Sequence, residues 1–482
     1  MGLSTYIIAD GSTAINIIDN TTYVYNNGKW SKSNESIDIN NDITENGINN
    51  IVNNEYMGFN DVDVEVYEGN MPLFTITPTP FRVATNVKIK DNTLVIPDGV
   101  TSIGTDALGW FKQGTGSTTT VTLYGISDIN YIDIPPSVTT LEDACFRYSY
   151  LKHVDIPETV TSWGWGTFKK SKIESVTIPS TLTTIPNNTF EQCADLTSCN
   201  IPDSVITIGE VAFNACSKLS NVTIPDSVTT IGSRAFSYCN SIGSVTIPAS
   251  VTTMEYGVFY NSSGLTDITF LGNTTLGNET FYLCSNLTTA HIPSTWTTIP
   301  ESTFHSCGKL SEINFPTSLT TIGRNAFYGC SSLVNITLPD GLETIGDSAF
   351  YGCNNLEAIN LPNTLTSIGS YGFAYCSKLT SVTIPGSVEV IPSSLFTWCT
   401  SLSSVVFSEG VTTINGTPFT QCNSLLYVCI PSTVSVIGQS AFSSCSSLKD
   451  IYINKPENSI AGYKWGAPFD TRVHWNSTGP TT

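Results

Sequence analysis

A pattern of 23 residues repeats along most of this 482-residue chain, as the spacing of Pro202, Pro225 and Pro248 shows. One copy is the string LSNVTIPDSVTTIGSRAFSYC, which begins at Leu219 and ends at Cys239. A fixed period of this length is typical of a solenoid, in which each turn buries its apolar face only against neighbouring turns. The repeat therefore constrains the fold more than any other feature of the sequence.

Proline marks one position in most turns, and this position counts the turns. Leu271 and Ser408 occupy it in two further turns, so we expect about 15 turns. The step from Pro97 to Pro135 is longer than the others, and we expect its extra residues, 109–123, to leave the stack as a surface loop. The prolines are Pro97, Pro135, Pro157, Pro179, Pro202, Pro225, Pro248, Pro293, Pro316, Pro339, Pro362, Pro385 and Pro431.

Each repeat predicts a short strand followed by a compact apolar segment. Alternating Val and Ile favour a half-buried strand, which proline ends because it cannot donate a hydrogen bond to a ladder. Glycine after a second extended piece, as at Gly209 and Gly346, favours positive φ. The A-F-x-x-C segment that follows predicts a single helical turn, and its Phe predicts a stacked ladder. The ladder residues are Phe190, Phe213, Phe236, Phe259, Phe281, Phe304, Phe327, Phe350, Phe373, Phe396, Phe419 and Phe442.

Most of the 14 cysteines also recur once per turn. This spacing predicts small apolar thiols in the core rather than a disulfide framework, although neighbouring turns would bring Cα atoms within disulfide range. The recurring cysteines are Cys193, Cys216, Cys239, Cys284, Cys307, Cys330, Cys353, Cys376, Cys399, Cys422 and Cys445.

The pattern resembles the BspA-like leucine-rich repeat family, whose bacterial-type repeats have this length. The resemblance covers roughly residues 91–454 and depends on the spacing, the proline, the Ala–Phe pair and the cysteine. It implies a mostly β, right-handed leucine-rich repeat solenoid with short helical turns and a strand-lined concave face. It also implies a surface interaction or adhesion protein.

The two ends of the chain depart from the repeat. Residues 1–90 predict a small β-rich domain for attachment or capping, with a hairpin that turns at Asn27–Gly28. Residues 91–453 predict the solenoid, and residues 454–482 predict a C-terminal cap and a tail, because a last turn would otherwise expose its apolar ladder.

Charge and hydropathy exclude several classes of protein. The net charge is −20, so the chain lacks the basic surface that nucleic-acid phosphates require. No apolar run approaches the length of a membrane span. The first residues, MGLSTYIIADGSTAINII, have neither the basic region nor the apolar core of a secretory signal.

The sequence predicts no catalytic residue, no cofactor and no metal site. Its four histidines form no catalytic or zinc-binding motif. Asp61, Asp63 and Glu65 alternate on a predicted strand, but they lack the frame of a calcium-binding loop. An enzyme site within residues 1–90 remains the alternative.

Two surfaces are candidate binding sites. The first, the strand-face patch, lies where the exposed face of the first strands is most varied; the alternative is that its side chains are only solvated. The second, the aromatic stripe, follows the ladder Phe in five consecutive turns; the alternative is that its rings only stack on each other and shield the turn. The strand-face patch is Tyr131, Asp133, His153 and Asp155, and the aromatic stripe is Tyr260, Tyr282, His305, Tyr328 and Tyr351.

These features together predict a recognition protein that binds a protein or a glycan and that is not an enzyme. Because no export signal is visible, we expect a phage virion appendage that is made in the host cytoplasm and attached through residues 1–90, which could also form a homo-oligomer. The alternative is a bacterial surface adhesin.

Overall fold

The computed structural model describes residues 92–107 and 129–479, except Pro97, Asp106 and Tyr463, together with the backbone of nine short strands between Tyr6 and Lys90. The chain divides into two compact units, Met1–Val228 and Thr229–Thr482. The predicted loop at 109–123 lies outside the described residues. The domain boundaries predicted at residues 90 and 453 stay predictions.

Six of the early strands form one sheet in the first unit, and its pairs are antiparallel. Asn26 lies opposite Lys29, which confirms the predicted hairpin. Three further strands, Phe74–Ile76, Arg82–Val83 and Lys88–Lys90, come before the first turn. In sheet order the six strands are Lys29–Lys32, Thr21–Asn26, Thr13–Asn16, Tyr6–Ile8, Glu65–Glu68 and Met71–Pro72.

Most solenoid turns contribute one strand before the proline position and one short strand after it, whereas the turns of Pro202 and Pro225 have only isolated bridges before the proline. In the first unit the strands before the proline position are Thr93–Val95, Tyr131–Asp133, His153–Asp155 and Ser175–Thr177. The shorter strands after it are Ser102–Ile103, Thr140–Leu141, Ser162–Trp163, Thr184–Ile185 and Thr207–Ile208.

The second unit repeats this arrangement. Its strands before the proline position are Ser244–Ile247, Asp267–Phe270, Thr289–His291, Glu312–Ile313, Asn335–Thr337, Ala358–Asn360, Ser381–Ile384, Ser404–Phe407, Tyr427–Ile430, Asp450–Ile453 and Arg472–Trp475. Its shorter strands are Thr230–Ile231, Thr253–Met254, Thr275–Leu276, Thr298–Ile299, Thr321–Ile322, Thr344–Ile345, Ser367–Ile368, Val390–Ile391, Thr413–Ile414 and Val436–Ile437.

Successive turns pair their strands in parallel and in register. Ser244 lies opposite Asp267, for example, and Ile247 lies opposite Phe270. Within this strand Val245 and Ile247 are buried whereas Ser244 is exposed, because side chains alternate between the two faces of a strand. The mostly β solenoid of about 15 turns predicted from the repeat is therefore confirmed.

The predicted phenylalanine ladder lies in the core of both units. Phe327 has no exposed surface, and its ring centroid lies 5.4 Å from that of Phe304 and 5.3 Å from that of Phe350. The planes of each pair are nearly parallel. In the first unit, Phe190 stacks on Phe213 in the same way, at 5.1 Å.

The cysteines form a second buried column. All 14 are free thiols, and 13 of them are buried. The Cys330 Sγ donates a hydrogen bond to the Phe304 carbonyl at 3.1 Å. Where Ser262 replaces the cysteine, its hydroxyl donates to the Phe236 carbonyl at 2.6 Å. The predicted column of core thiols is confirmed, and burial raises the pKa of Cys284 to about 12.

Two local predictions were wrong. The segment around each ladder Phe forms tight turns instead of a helical turn. In most turns left-handed residues lie on both sides of the Phe, as at Arg234 (φ 54°) and Tyr238 (φ 58°). The predicted positive φ is absent at Gly209 and Gly346. A Cβ on Gly346 would lie 2.5 Å from the Arg324 backbone nitrogen, so this glycine is required by the close approach of the preceding turn.

The second unit ends with a strand that lies on the last full turn. Arg472–Trp475 pairs in parallel with Asp450–Ile453. A short 3-10 segment at Lys464–Gly466 precedes it and carries the buried Trp465, whose Nε1 donates to the Ala461 carbonyl at 2.9 Å. The indole thus buries its ring and satisfies its only donor.

Candidate functional site

The strand-face patch lies on neighbouring parallel strands of the first unit. The register places Tyr131 opposite His153, and their rings stack with centroids 6.1 Å apart and planes at 19°. Asp133 and Asp155 come two residues further along the same strands, so they share the exposed face. All four side chains are exposed. The structure therefore brings together the four residues that the sequence grouped.

Hydrogen bonds extend the patch by one turn. The His153 Nδ1 lies 2.6 Å from the Ser175 hydroxyl, and its Nε2 lies 4.0 Å from a Glu174 carboxylate oxygen. The Thr177 hydroxyl donates to Asp155 at 2.6 Å. These contacts hold the imidazole and one carboxylate in fixed positions while both stay accessible to solvent.

The aromatic stripe in the second unit is a continuous stack of rings. Tyr260 and Tyr282 lie 4.9 Å apart with planes at 5°. His305 lies 4.3 Å from Tyr282 and 4.5 Å from Tyr328, and Tyr328 lies 4.5 Å from Tyr351. Each inner ring is therefore covered on both faces, and it presents only its edge to solvent.

Three further rings, which the sequence did not indicate, lengthen the stripe at both ends. Tyr238 lies 5.8 Å from Tyr260, and Tyr375 lies 5.0 Å from Tyr351. Trp398 follows Tyr375 at 5.9 Å. These three are the second residue after the ladder Phe, whereas the predicted five are the first. The planes tilt by 48° and 43° where the position changes, so the eight rings form one extended stack with two bends.

Burial governs the protonation of the stack. Desolvation and the neighbouring Tyr328 and Tyr375 hydroxyls raise the pKa of Tyr351 to about 12. Burial likewise lowers the pKa of His305 below its usual value. The stack therefore presents neutral ring edges and hydroxyl groups near neutral pH.

An arginine lies beside the Tyr260 ring, the first ring of the aromatic stripe. The Arg234 guanidinium carbon lies 5.2 Å from the centre of the Tyr260 ring and 5.3 Å from that of Tyr256. The Tyr256 hydroxyl donates to the Glu279 carboxylate. Cation–π contacts and this hydrogen bond join the four side chains, so the guanidinium already has partners within the protein.

The described ranges 92–107 and 129–479 contain neither a metal-binding cluster nor a membrane-spanning helix. No group of three or more His, Cys, Asp or Glu side chains there could hold a metal ion. No helix in this part of the chain is long and apolar enough to cross a membrane.

Comparison with known proteins identifies the repeat. The profile of the BspA type leucine-rich repeat region matches residues 86–196, 183–310, 297–426 and 366–465, which together span more than half of the chain. A leucine-rich repeat protein from Bacteroides ovatus is 27% identical, with a TM-score of 0.52, over 69% of this chain and 93% of that one.

Two other solved structures are similar to this chain. A leucine-rich cell surface protein from Faecalibacterium prausnitzii is 25% identical over 77% of this chain and 92% of that one, with a TM-score of 0.40. The pneumococcal vaccine antigen PcpA is 18% identical over 81% and 96%, with a TM-score of 0.44. No curated protein sequence matches the chain. Because the family profile covers so much of it, the chain belongs to the BspA-type leucine-rich repeat family.

Proposed function

We propose that this chain is a non-enzymatic recognition protein that binds a protein or glycan on a cell surface through the exposed side chains of its turns. The observation that carries the proposal is the extended stack: eight aromatic side chains from consecutive turns aligned at the surface of the second unit. Three of the eight, Tyr238, Tyr375 and Trp398, are exposed and the other five are half-buried. Exposed aromatic groups are typical of interaction sites. Leucine-rich repeat proteins generally bind other proteins, which agrees with this proposal.

Two surfaces take part in the proposed binding. The strand-face patch offers two carboxylates beside a stacked Tyr131–His153 pair. The aromatic stripe offers a row of edges and hydroxyls, since neighbouring rings cover the faces of its inner members. The inner rings of the stripe therefore support one another, and we expect the ligand to contact the hydroxyl groups and the ends of the stripe.

The proposed setting is the surface of a bacterium, as an adhesin, because the family to which the chain belongs is found in bacterial surface proteins. A phage virion appendage, attached through residues 1–90, is the second candidate and was the first expectation from the sequence. The structural relatives described above are cellular proteins and give it no support. Immunogold labelling of intact producing cells and of any phage particles they release would separate the two.

A cell-binding assay tests the recognition function. Fluorescently labelled full chain is mixed with intact bacteria of several species and with cultured epithelial cells, and bound label is measured by flow cytometry. We expect saturable binding to at least one cell type. One variant replaces Tyr131 and His153 with Ser and Asp133 and Asp155 with Asn, and it tests the strand-face patch.

A second variant changes Tyr282, Tyr328 and Tyr351 to Phe, which removes three hydroxyls and keeps the rings stacked. Binding that falls at least fivefold in either variant, with unchanged circular dichroism, assigns the contact to that surface. Absence of saturable binding to every cell type would overturn the proposed function.

A further inference from the structure

Trp398 ends the extended stack, and one face of its indole is not covered by another ring. Tyr375 lies against the opposite face at 5.9 Å with planes at 12°. In the next turn the same position holds Gln421. Both residues come second after a ladder Phe, and both donate to the equivalent carbonyl one turn on: Trp398 N to Thr420 O at 2.9 Å and Gln421 N to Ser443 O at 3.1 Å. Trp398 is 41% exposed. A large flat ring that is partly exposed offers an apolar contact surface.

The segments around this platform carry no charge. Residues 393–401, 415–424 and 439–447 contain no Asp, Glu, Lys, Arg or His. The same segments of the three preceding turns each carry a charged residue, namely Arg324, Asp347 and Lys378. In a chain of net charge −20, three successive uncharged segments form a local neutral surface. Such a surface does not attract a ligand by charge.

Amide groups with unused hydrogen-bonding capacity lie in these segments. Within the described part of the chain, the side chains of Asn415, Gln421 and Gln439 make no hydrogen bond. Each amide offers two N–H donors and one carbonyl acceptor. The neutral surface can therefore pair with a ligand that carries several hydroxyl groups, which both donate and accept.

We infer that Trp398 and Gln421 form a subsite for a neutral carbohydrate chain. This inference rests on the proposed recognition function and names the ligand class for one surface. The C–H face of a sugar ring packs on the exposed part of the indole, and its hydroxyls pair with the Gln421 amide in the next turn. A few polar groups placed around an apolar contact are the usual composition of a small-molecule site.

A protein ligand fits this end of the stack less well. In the three uncharged segments Trp398 is the only large apolar side chain that is exposed. A protein interface has a fully buried apolar core made of several side chains. One ring surrounded by Ser, Thr, Asn and Gln matches the size of a single sugar unit better than it matches such a core.

Affinity electrophoresis tests the subsite. Full-length protein is run in native gels that contain β-glucan, glucomannan, xylan, mannan or galactan, and in gels with the anionic polygalacturonate. The variants are Trp398→Ala, Trp398→Phe and Gln421→Ala. Trp165→Ala is the matched control, because Trp165 is 44% exposed in the first unit, outside the extended stack. Circular dichroism verifies that each variant is folded.

We expect at least one neutral polysaccharide to retard the wild type and Trp165→Ala equally. Trp398→Ala should weaken that binding at least tenfold, Trp398→Phe should restore part of it, and Gln421→Ala should weaken it severalfold. The inference is overturned if no neutral polysaccharide retards the wild type, if only polygalacturonate does, or if Trp398→Ala migrates like Trp165→Ala.

The cell-binding assay separates this inference from the proposed function. A glycan ligand is destroyed by periodate oxidation of the cells and survives protease treatment, whereas a protein ligand behaves in the opposite way. Cell binding that is protease-sensitive and unchanged in Trp398→Ala would refute the carbohydrate subsite but would still support the recognition function. Absence of any cell binding by the wild type would instead count against the recognition function.

Discussion

Replacing Tyr328 with Ser tests whether the aromatic stripe stabilises the solenoid. The Tyr328 ring lies 4.5 Å from His305 on one face and 4.5 Å from Tyr351 on the other, with both pairs of planes at 4°. Each aromatic pair contributes about 0.5–1.5 kcal/mol beyond its buried area. Loss of both pairs should therefore lower the free energy of unfolding by roughly 1–3 kcal/mol. A side chain that only awaits a ligand would change it by less than about 0.5 kcal/mol.

Hydrogen exchange is the appropriate assay, because long repeat arrays open in parts and a single unfolding midpoint can average over them. Amides between Phe304 and Phe350 should exchange about 5- to 150-fold faster in Tyr328→Ser than in the wild type, which is the same free-energy change expressed as an opening constant. Tyr371→Ser is the control, since Tyr371 is 46% exposed and has no ring partner among the described residues. Equal exchange rates in the two variants would refute the stabilising role of the stack.

Three further predictions concern the buried cysteines and the ionisation of Tyr351. Cys330→Ala should cost about 1–2 kcal/mol of unfolding free energy in urea, whereas Cys330→Ser should cost less than about 1 kcal/mol, because a hydroxyl can donate to the same carbonyl as it does at Ser262; equal costs would contradict this. Ellman's reagent should label at most one thiol of the native protein quickly, at Cys429, since burial shields the other 13 from the reagent; rapid labelling of several thiols would be inconsistent with the core column. The unfolding free energy should fall as pH rises from about 10 to about 12, because the unfolded Tyr351 phenol ionises near pH 10 while the folded one keeps its proton to about pH 12. Urea denaturation at pH 9, 10 and 11 should show a smaller fall in Tyr351→Phe, and an identical fall in both proteins would refute the assignment.

Sequence alone predicted the parts of the fold that depend on repetition. Phe327 and Cys330 recur at fixed positions, and identical residues in stacked turns must lie above one another. The local backbone between them was harder to predict. An apolar pair three residues apart also fits a helical turn. Phe327 N, however, donates to Ala349 O in the next turn at 2.8 Å, so hydrogen bonds between turns alternate with local ones such as that from Cys330 N to Phe327 O at 3.1 Å.

The extended stack shows a second limit of the sequence pattern. Tyr260 and Tyr351 share one position after the ladder Phe, so their alignment was predictable. Tyr375 and Trp398 lie one residue later. A large aromatic side chain can join the same stack of rings from either position. The uncharged surface around Trp398 was equally hidden, because its segments are separated in sequence and meet only when the turns stack.

The second residue after each ladder Phe has a left-handed backbone in turn after turn, whatever side chain it carries. The fold thus holds one column of sites at which the main-chain conformation stays constant while the side chain varies, from Gln192 and Ala215 in the first unit to Leu283, Gly352 and Trp398 in the second. Libraries of engineered binding proteins use positions of this kind, where the side chain is varied on a fixed backbone. Selection could rewrite the specificity of this column, in nature or in the laboratory, without altering the scaffold that carries it.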